Sequence, residues 1–364
     1  FFLKGTALFI VPRGPTPIRC CNKTTDMPCK QTLCVALLSA LFLQHICAVP
    51  LKAQPPMDNL VVDPNVINEI NNDNNTEWTA GVNPMFEGMT MQEFRSKYLG
   101  LIMDRPLKDV PVKVHDQLET MDLPAEFNAY DKWPQFMHPI RDQAHCGSCW
   151  AFAASEVLSD RFALASNGTI NKILSPEDLV SCDKGDMGCQ GGYLDHAWSY
   201  LKTRGIVTES CFPYSAGKGH VAACSTKCVG EEPYVKYKAA DYYQLKTEED
   251  IMKEIYLNGP VEAGFSVYSS FMAYKGGVYH KRLFDMIEGG HAIKIVGWGE
   301  EPPKKWWQRK PTKYWLCANS WTTAWGMDGF FKIKRGTNRL GHSECGIQSD
   351  VIAGHPLIPG DKMH

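Results

Sequence analysis

The chain is expected to fold as an α+β protein of two lobes with a cleft between them. Two observations carry this expectation. Cys149–Ala165 and Asp195–Thr203 place apolar residues at helical spacing, whereas beyond Asp250 the pattern changes to short runs punctuated by glycine that read as strands. A chain of 364 residues is long enough for a sizeable core, and its net charge of -2 gives no electrostatic reason to expect nucleic acid or an anionic membrane. Of 14 cysteines, five precede residue 50 and the other nine begin at Cys146; the second group points to an oxidising compartment.

Residues 1–26 contain no methionine and read as upstream sequence. After Met27 and Lys30 comes Thr32–Leu43, twelve apolar or small residues. This run is too short to span a bilayer and suits a signal-peptide core, so 27–48 is expected to be a signal peptide cleaved after Ala48; a signal anchor is the alternative. Residues 49–122 hold no cysteine, pass through an Asn-rich patch and Trp78–Pro84, and include a helix-like stretch, Met91–Leu101. A segment without staples ahead of a cysteine-rich region reads as a pro-segment, the plainer alternative being a flexible arm. Asn74 and Asn167 each open a glycosylation sequon.

Leu123-Pro124 marks the start of the main domain, 123–364, with a helical lobe over about 123–250 and a β-rich lobe over about 251–354. Asn167-Gly168 stops the helix that Cys149 begins, and Ser175-Pro176-Glu177-Asp178 has the cap, proline and acids of another helix start. Ile251–Leu257 is a short helix ended by Asn258-Gly259-Pro260. Val261–Val267, Gly277–Tyr279, His291–Gly297, Tyr314–Ala318 and Phe330–Lys334 read as strands, and Pro302–Thr312 as a basic surface insertion.

The chemistry centres on Gln143-Ala144-His145-Cys146-Gly147-Ser148-Cys149-Trp150. A thiol is a strong nucleophile only as thiolate, and a helix N-terminus beside an imidazolium lowers its pKa. Cys149 begins a helix. Among eleven histidines, His291 is the best base: Gly289-Gly290 allow close backbone approach, and an apolar strand holds the ring. Asn319 ends another strand, where its carbonyl oxygen suits the imidazole N–H, and Trp321 would cover that bond. A thioredoxin-like redox pair at Cys146 and Cys149, or half a zinc site, is the rival reading. No strand precedes the pair and no second Cys-x-x-Cys completes a zinc set, so neither metal nor cofactor is expected.

Cys146-Gly147-Ser148-Cys149-Trp150 resembles the nucleophile motif of the papain family. His291 and Asn319 lie 142 and 170 residues beyond Cys149, and Gly188-Cys189-Gln190-Gly191-Gly192 and Tyr314–Trp321 add further family motifs. Gly289-Gly290-His291-Ala292-Ile293, Asn258-Gly259-Pro260-Val261-Glu262 and Cys345-Gly346-Ile347 look most like cathepsin B. The resemblance implies a papain-like fold, with a helical left lobe and a β-barrel-like right lobe flanking the cleft. It implies a zymogen of a cysteine-type endopeptidase, with Cys149 as nucleophile, His291 as its partner, Asn319 as orienter and Gln143 in the oxyanion hole. It also implies that Gly191 and Gly192 pair with the substrate backbone and that Trp321 lines the leaving-group side. Tyr193, Gly264, Ala292 and Asp350 would line the S2 pocket; for Asp350 a rim or surface carboxylate is the alternative. The implied disulfides are Cys146–Cys189, Cys182–Cys224 and Cys211–Cys228, with Cys149, Cys317 and Cys345 free.

The chain departs from cathepsin B where that family carries a long occluding loop with a histidine pair. Only nine residues separate Tyr214 from Cys224, with one histidine, His220. This predicts an open cleft and an endopeptidase with weak or absent exopeptidase activity. The expected partners are protein and peptide substrates, the chain's own pro-segment as inhibitor, and cystatin-like inhibitors. A monomer in a lysosome-like compartment or the secreted fraction is expected. The alternative is an inactive papain-like binding protein.

Overall fold

The computed structural model describes residues 60–115, 121–303 and 310–359. The upstream sequence, the signal peptide and the centre of the 302–312 insertion lie outside them. Pro64 in the first turn, with Asp63 accepting from the Asn65 N–H, starts α1 (Pro64–Asn72), so part of the Asn-rich patch is helical and buries Ile70. β1 (Trp78–Ala80) follows, and a reciprocal Thr90–Glu93 capping box starts α2 (Met91–Tyr98). The helix expected over Met91–Leu101 stops at Tyr98. Beyond it the chain is extended, because residues 100–102 find backbone partners outside the helix, at Gly192 and Gly290.

β2 (Phe127–Asn128) and α3 (Ala129–Lys132) lead to three helices, α4 (Cys149–Ala165), α5 (Pro176–Cys182) and α6 (Leu194–Thr203). From Cys149 to Ala163 every residue of α4 is buried, its polar members Ser155, Glu156, Ser159, Asp160 and Arg161 included. Its charged members are paired: Arg161 donates to Glu254 at 2.9 Å, and Lys294 reaches Asp160 at 2.6 Å. Breaking such a buried pair is costly, typically ~3–5 kcal/mol, so these contacts hold α4 in a fixed place against the sheet.

The remaining elements are β3 (Tyr243–Leu245), α7 (Glu248–Asn258), β4 (Val261–Tyr268), β5 (Tyr274–Tyr279), β6 (Ile287–Glu301), β7 (Thr312–Ala318), β8 (Phe330–Lys334) and β9 (Asp350–Ala353). The sheet runs β1-β5-β8-β7-β6-β4-β9-β3, with β2 also on β6; every pairing is antiparallel except β5 with β8. β6 is longer than its apolar run, His291–Gly297, because it is paired on both sides and then forms a hairpin with β7 that closes at Glu301 and Thr312.

One apolar core lies on the sheet and the N-terminal arm, and a second surrounds α4. Cys146 is bonded to Cys189, Cys182 to Cys224 and Cys211 to Cys228, while Cys149, Cys317 and Cys345 are free and buried. Asn74 and Asn167 are exposed. Among the described residues no helix is long and apolar enough to cross a membrane.

Candidate active site

Cys149 is the first residue of α4, where the unpaired N–H groups and the helix dipole favour negative charge. The turn before it is fixed from two sides. The Cys146–Cys189 bond ties it down, and the Gly147 N–H donates to the Cys189 carbonyl at 3.1 Å. Cys149 is fully buried, and burial pushes its thiol up to about 11, against backbone hydrogen bonds from Ala292, Gly100 and Trp150 that pull it down. The Ala292 contact is informative: the sulfur is held by the backbone of the residue next to His291.

His291 sits on β6, paired with Phe265 across β4. Its Nε2 lies 2.8 Å from Oδ1 of Asn319 at the end of β7, so Nε2 carries the proton and Nδ1 keeps the lone pair. Asn319 Oδ1 also accepts from the Ser320 N–H at 2.8 Å, which orients the amide. The Trp321 ring lies 4.6 Å from the imidazole at 32° and covers the pair. His291 Nδ1 is buried without a hydrogen-bond partner among the described residues. Burial holds the imidazole down at about 4, against the opposing pull of Asn319. Burial under the arm therefore disfavours the charged form of both groups, the thiolate and the imidazolium alike.

Gln143 is fully buried. Its Oε1 accepts from Ser320 Oγ at 2.8 Å, leaving Nε2 to donate to Cys146 O at 2.9 Å and to Tyr98 O at 3.1 Å. The second acceptor belongs to the N-terminal arm, so an arm carbonyl occupies the amide that the resemblance assigns to the oxyanion.

The arm then follows the whole cleft. Gly100 passes so close to Gly147 that a Cβ on it would stand 1.8 Å from the Gly147 carbonyl oxygen, so only glycine fits. The Leu101 N–H donates to Gly290 O at 3.1 Å, the Ile102 N–H to Gly192 O at 3.0 Å, and the Gly192 N–H to Gly100 O at 2.9 Å. Leu101 packs with Leu194, Ala292 and Ile352. A Cβ on Gly264 would meet Leu101 Cδ2 at 2.5 Å, with Asp350 Cβ on its other side at 3.8 Å. Asp350 therefore lines the pocket that Leu101 fills; burial, and then the charge of Asp195, raise its carboxyl above the usual range. At the other end Phe86, Phe94 and Tyr98 set their edges on Trp321 at 5.7, 5.5 and 5.9 Å.

Of the two glycines expected to pair with a substrate backbone, one pairs with the arm. The Gly191 N–H donates to Gly188 O and its carbonyl accepts from the Met187 N–H, because a tight turn uses both groups. Backbone pairing with the arm falls to Gly192 alone, and Gly191 serves by leaving room for Gly100 O, 2.7 Å from where its Cβ would be. Tyr193 stands at the pocket mouth, its hydroxyl donating to Asp104 at 3.1 Å. Sequence reasoning did not single out its neighbours Asp195 and His196, which hold Arg105 of the arm. An acid in the first turn of a helix reads as an ordinary helix start.

The family model for papain family cysteine proteases matches residues 123–355. The chain is 36% identical over 360 residues to cathepsin B-like protease 1 of Arabidopsis thaliana, covering 88% of this chain and 90% of that protein. It is 41% identical over 283 residues to cathepsin B-like cysteine proteinase 4 of Caenorhabditis elegans, covering 69% and 80%. Among solved structures, procathepsin B S9 from Trypanosoma congolense superposes with a TM-score of 0.72 at 33% identity, over 82% of this chain and 99% of that one. The three disulfides are those of a cathepsin-like protein consistent with the secretory pathway. With its arm laid through the cleft between α4 and β6, the chain belongs to the papain family as a cathepsin B-like cysteine protease made as a proenzyme.

Proposed function

We propose that, once the arm is removed, the chain cleaves internal peptide bonds through Cys149 and His291. The observation that carries this is the His291 ring, with Nε2 fixed by Asn319 and Nδ1 unpartnered, on a strand whose next residue hydrogen-bonds to Cys149. Uncovering the pair reverses the burial that disfavours its charged forms, and the proton passes from Cys149 Sγ to His291 Nδ1. The thiolate attacks the scissile carbonyl carbon. Gln143 Nε2–H, released by Tyr98 O, and the Cys149 N–H hold the oxyanion. Collapse breaks the C–N bond, His291 protonates the leaving amine, and a thioester remains. Water, deprotonated by His291, attacks the thioester and restores the thiolate.

The cleft is open on its primed side in this reading, which rests on the short Tyr214–Cys224 connection. That connection is tied back: the Ser215 and Ala216 N–H groups donate to Glu177 at 2.8 and 3.0 Å, and Gly217 O accepts from the His145 N–H at 2.9 Å. His220 on it is exposed. Endopeptidase action with weak or absent exopeptidase action follows. Asp350 at the Leu101 pocket admits a basic P2 residue beside apolar ones, Asn74 and Asn167 carry glycans, and the processed enzyme acts in a lysosome-like or secreted setting open to cystatin-like inhibitors. An epoxide thiol inhibitor is expected to add its mass at Cys149 of the processed protein and not to Cys149→Ala. Absence of that adduct, or a preference for releasing C-terminal dipeptides over internal cleavage, would sink the reading.

A further inference from the structure

We infer that Tyr193, Asp195 and His196 form a seat for an arginine side chain of the substrate at P3, at the outer edge of the Leu101 pocket, whose lining Tyr193 and Asp195 share with Asp350. The inference rests on the endopeptidase reading above. The three residues lie within four positions, where the chain leaves Gly192 and enters α6. In the structure they hold one guanidinium, that of Arg105. Arg105 donates from Nη1 to Asp195 Oδ2 at 2.8 Å and from Nη2 to Asp195 Oδ1 at 3.2 Å, a bidentate pair. Its Nη2 also meets His196 Nε2 at 3.0 Å, and its carbon lies 4.1 Å over the Tyr193 ring.

Each part of the seat is itself fixed. His196 Nδ1 faces Gly185 O at 3.1 Å and Asp186 Oδ1 at 3.2 Å, which places the proton on Nδ1 and leaves Nε2 as the acceptor for Arg105. Asp186 also accepts from the Tyr193 N–H at 2.9 Å. The Asp195 side chain is 5% exposed with the arm in place, and its remaining contact, from the Lys108 N–H at 3.0 Å, is also to the arm. Removing the arm therefore leaves an oriented carboxylate without a partner among the contacts described, beside an aromatic face and a ring nitrogen acceptor. A planar fork satisfies all three at once, whereas an ammonium meets one acceptor at a time, so the seat selects arginine over lysine.

Its position follows from the path of the arm. Gly100 is beside Cys149, Leu101 fills the pocket, Ile102 pairs with Gly192, and Arg105 lies further from the sulfur. A substrate paired with Gly192 through its P2 backbone brings its next side chain outward onto the Tyr193 ring.

The test uses fluorogenic peptides with P2 fixed as Leu and P3 varied as Arg, Lys, citrulline or Leu. For the processed enzyme, kcat/KM is expected to be roughly tenfold to a hundredfold higher for Arg than for citrulline, with Lys between them. Asp195→Asn is expected to bring the Arg-to-citrulline ratio close to one, and Asp350→Asn to leave that ratio in place. An unchanged ratio in Asp195→Asn, or a change confined to arginine at P2, overturns the assignment. A second readout needs no turnover. The synthetic peptide 99–110 is titrated into processed Cys149→Ala protein, and changing Arg105 of the peptide to citrulline is expected to weaken binding at least about tenfold. Equal affinity of the two peptides refutes the seat without any variant that must fold. If the processed enzyme cleaves no peptide while the peptides still differ in affinity, the endopeptidase reading fails and the seat stands.

Discussion

The two ends of the arm are held by different balances of force. Upstream of Leu99 the grip is mainly aromatic: Phe86, Phe94 and Tyr98 meet Trp321 edge to face, and Trp78 lies 5.0 Å from Tyr279, with two ion pairs beside them, Arg95 to Glu288 and Arg282 to Glu69, each at 2.6 Å. Downstream of Met103 it is ionic. Arg105 pairs with Asp195, and Lys113 and His115 each reach Glu254 at 2.9 Å. Buried rings attract one another equally at any pH, whereas ion pairs fade when either partner loses its charge. The difference teaches where acid acts most: it loosens the downstream end, over the Leu101 pocket, more than the ring contacts on Trp321, which carry no charge.

The sign can be worked out group by group. Burial alone would raise the Asp195 carboxyl, but Arg105 and the Lys108 N–H hold it below the usual range. Its contribution to arm binding is therefore present above the pKa of the uncovered carboxyl and is lost as pH falls through the depressed one. The Glu254 carboxyl is also held low, against burial, with Arg161 the first of its favourable partners. Arg161 stays when the arm leaves, so Glu254 grips the arm less selectively. His291 adds a third effect of the same sign. Its pKa is about 4 under the arm against an ordinary 6.5, so protonation favours the uncovered state as pH falls below 6.5, levelling off below 4.

The rate at which a thiol reagent reaches Cys149 in the full-length chain reads arm opening directly and can break this comparison. Phe94→Ala, which empties a fully buried site, should weaken the arm by about 3–5 kcal/mol, with the same gain in labelling at pH 7 and at pH 4. A gain confined to one pH would show that the aromatic end titrates after all. Gly100→Ala places a methyl group on the Gly147 carbonyl and should cost about 2–3 kcal/mol, lifting the middle of the arm while Trp321 stays covered. Tryptophan fluorescence that shifts along with labelling would contradict that separation. Arg105→Gln should cost about 1–2 kcal/mol at pH 7, a cost that shrinks as pH falls through the depressed pKa of Asp195. A cost that does not change with pH would assign Arg105 to packing. His115→Ala should be smallest, about 1 kcal/mol, because Lys113 and Arg161 remain on the buried Glu254 carboxylate.

Periodicity made the central elements legible. α4 carries apolar residues along its length and starts at a motif, and β4 to β8 are apolar runs bounded by glycine. β3 and β9 escaped such reading because each is three or four residues long and carries a polar member, Gln244 or Asp350; they exist by pairing with each other and with β4. For the site, motif spacing named Cys149, His291, Asn319 and Gln143, and the fold brings these together. Leu99–Leu101 was read as the end of a helix because nothing local announces that its backbone partners lie on Gly192 and Gly290. Asp195 and His196 were invisible for a related reason: their meaning depends on Arg105, ninety residues earlier in the chain.

β1 pairs antiparallel with β5 at the rim of the sheet, Trp78 opposite Gly277 and Thr79 opposite Gly276. The arm thus supplies the outermost strand of the sheet it inhibits. Once proteolysis removes it, β5 becomes an open edge with unpaired N–H and C=O groups, the form of surface that recruits strands from other chains. Maturation is then a one-way step for folding as well as for activity: the processed protein, once denatured, lacks the strand that covered that edge, and its refolding yield should fall with protein concentration more steeply than that of the full-length chain.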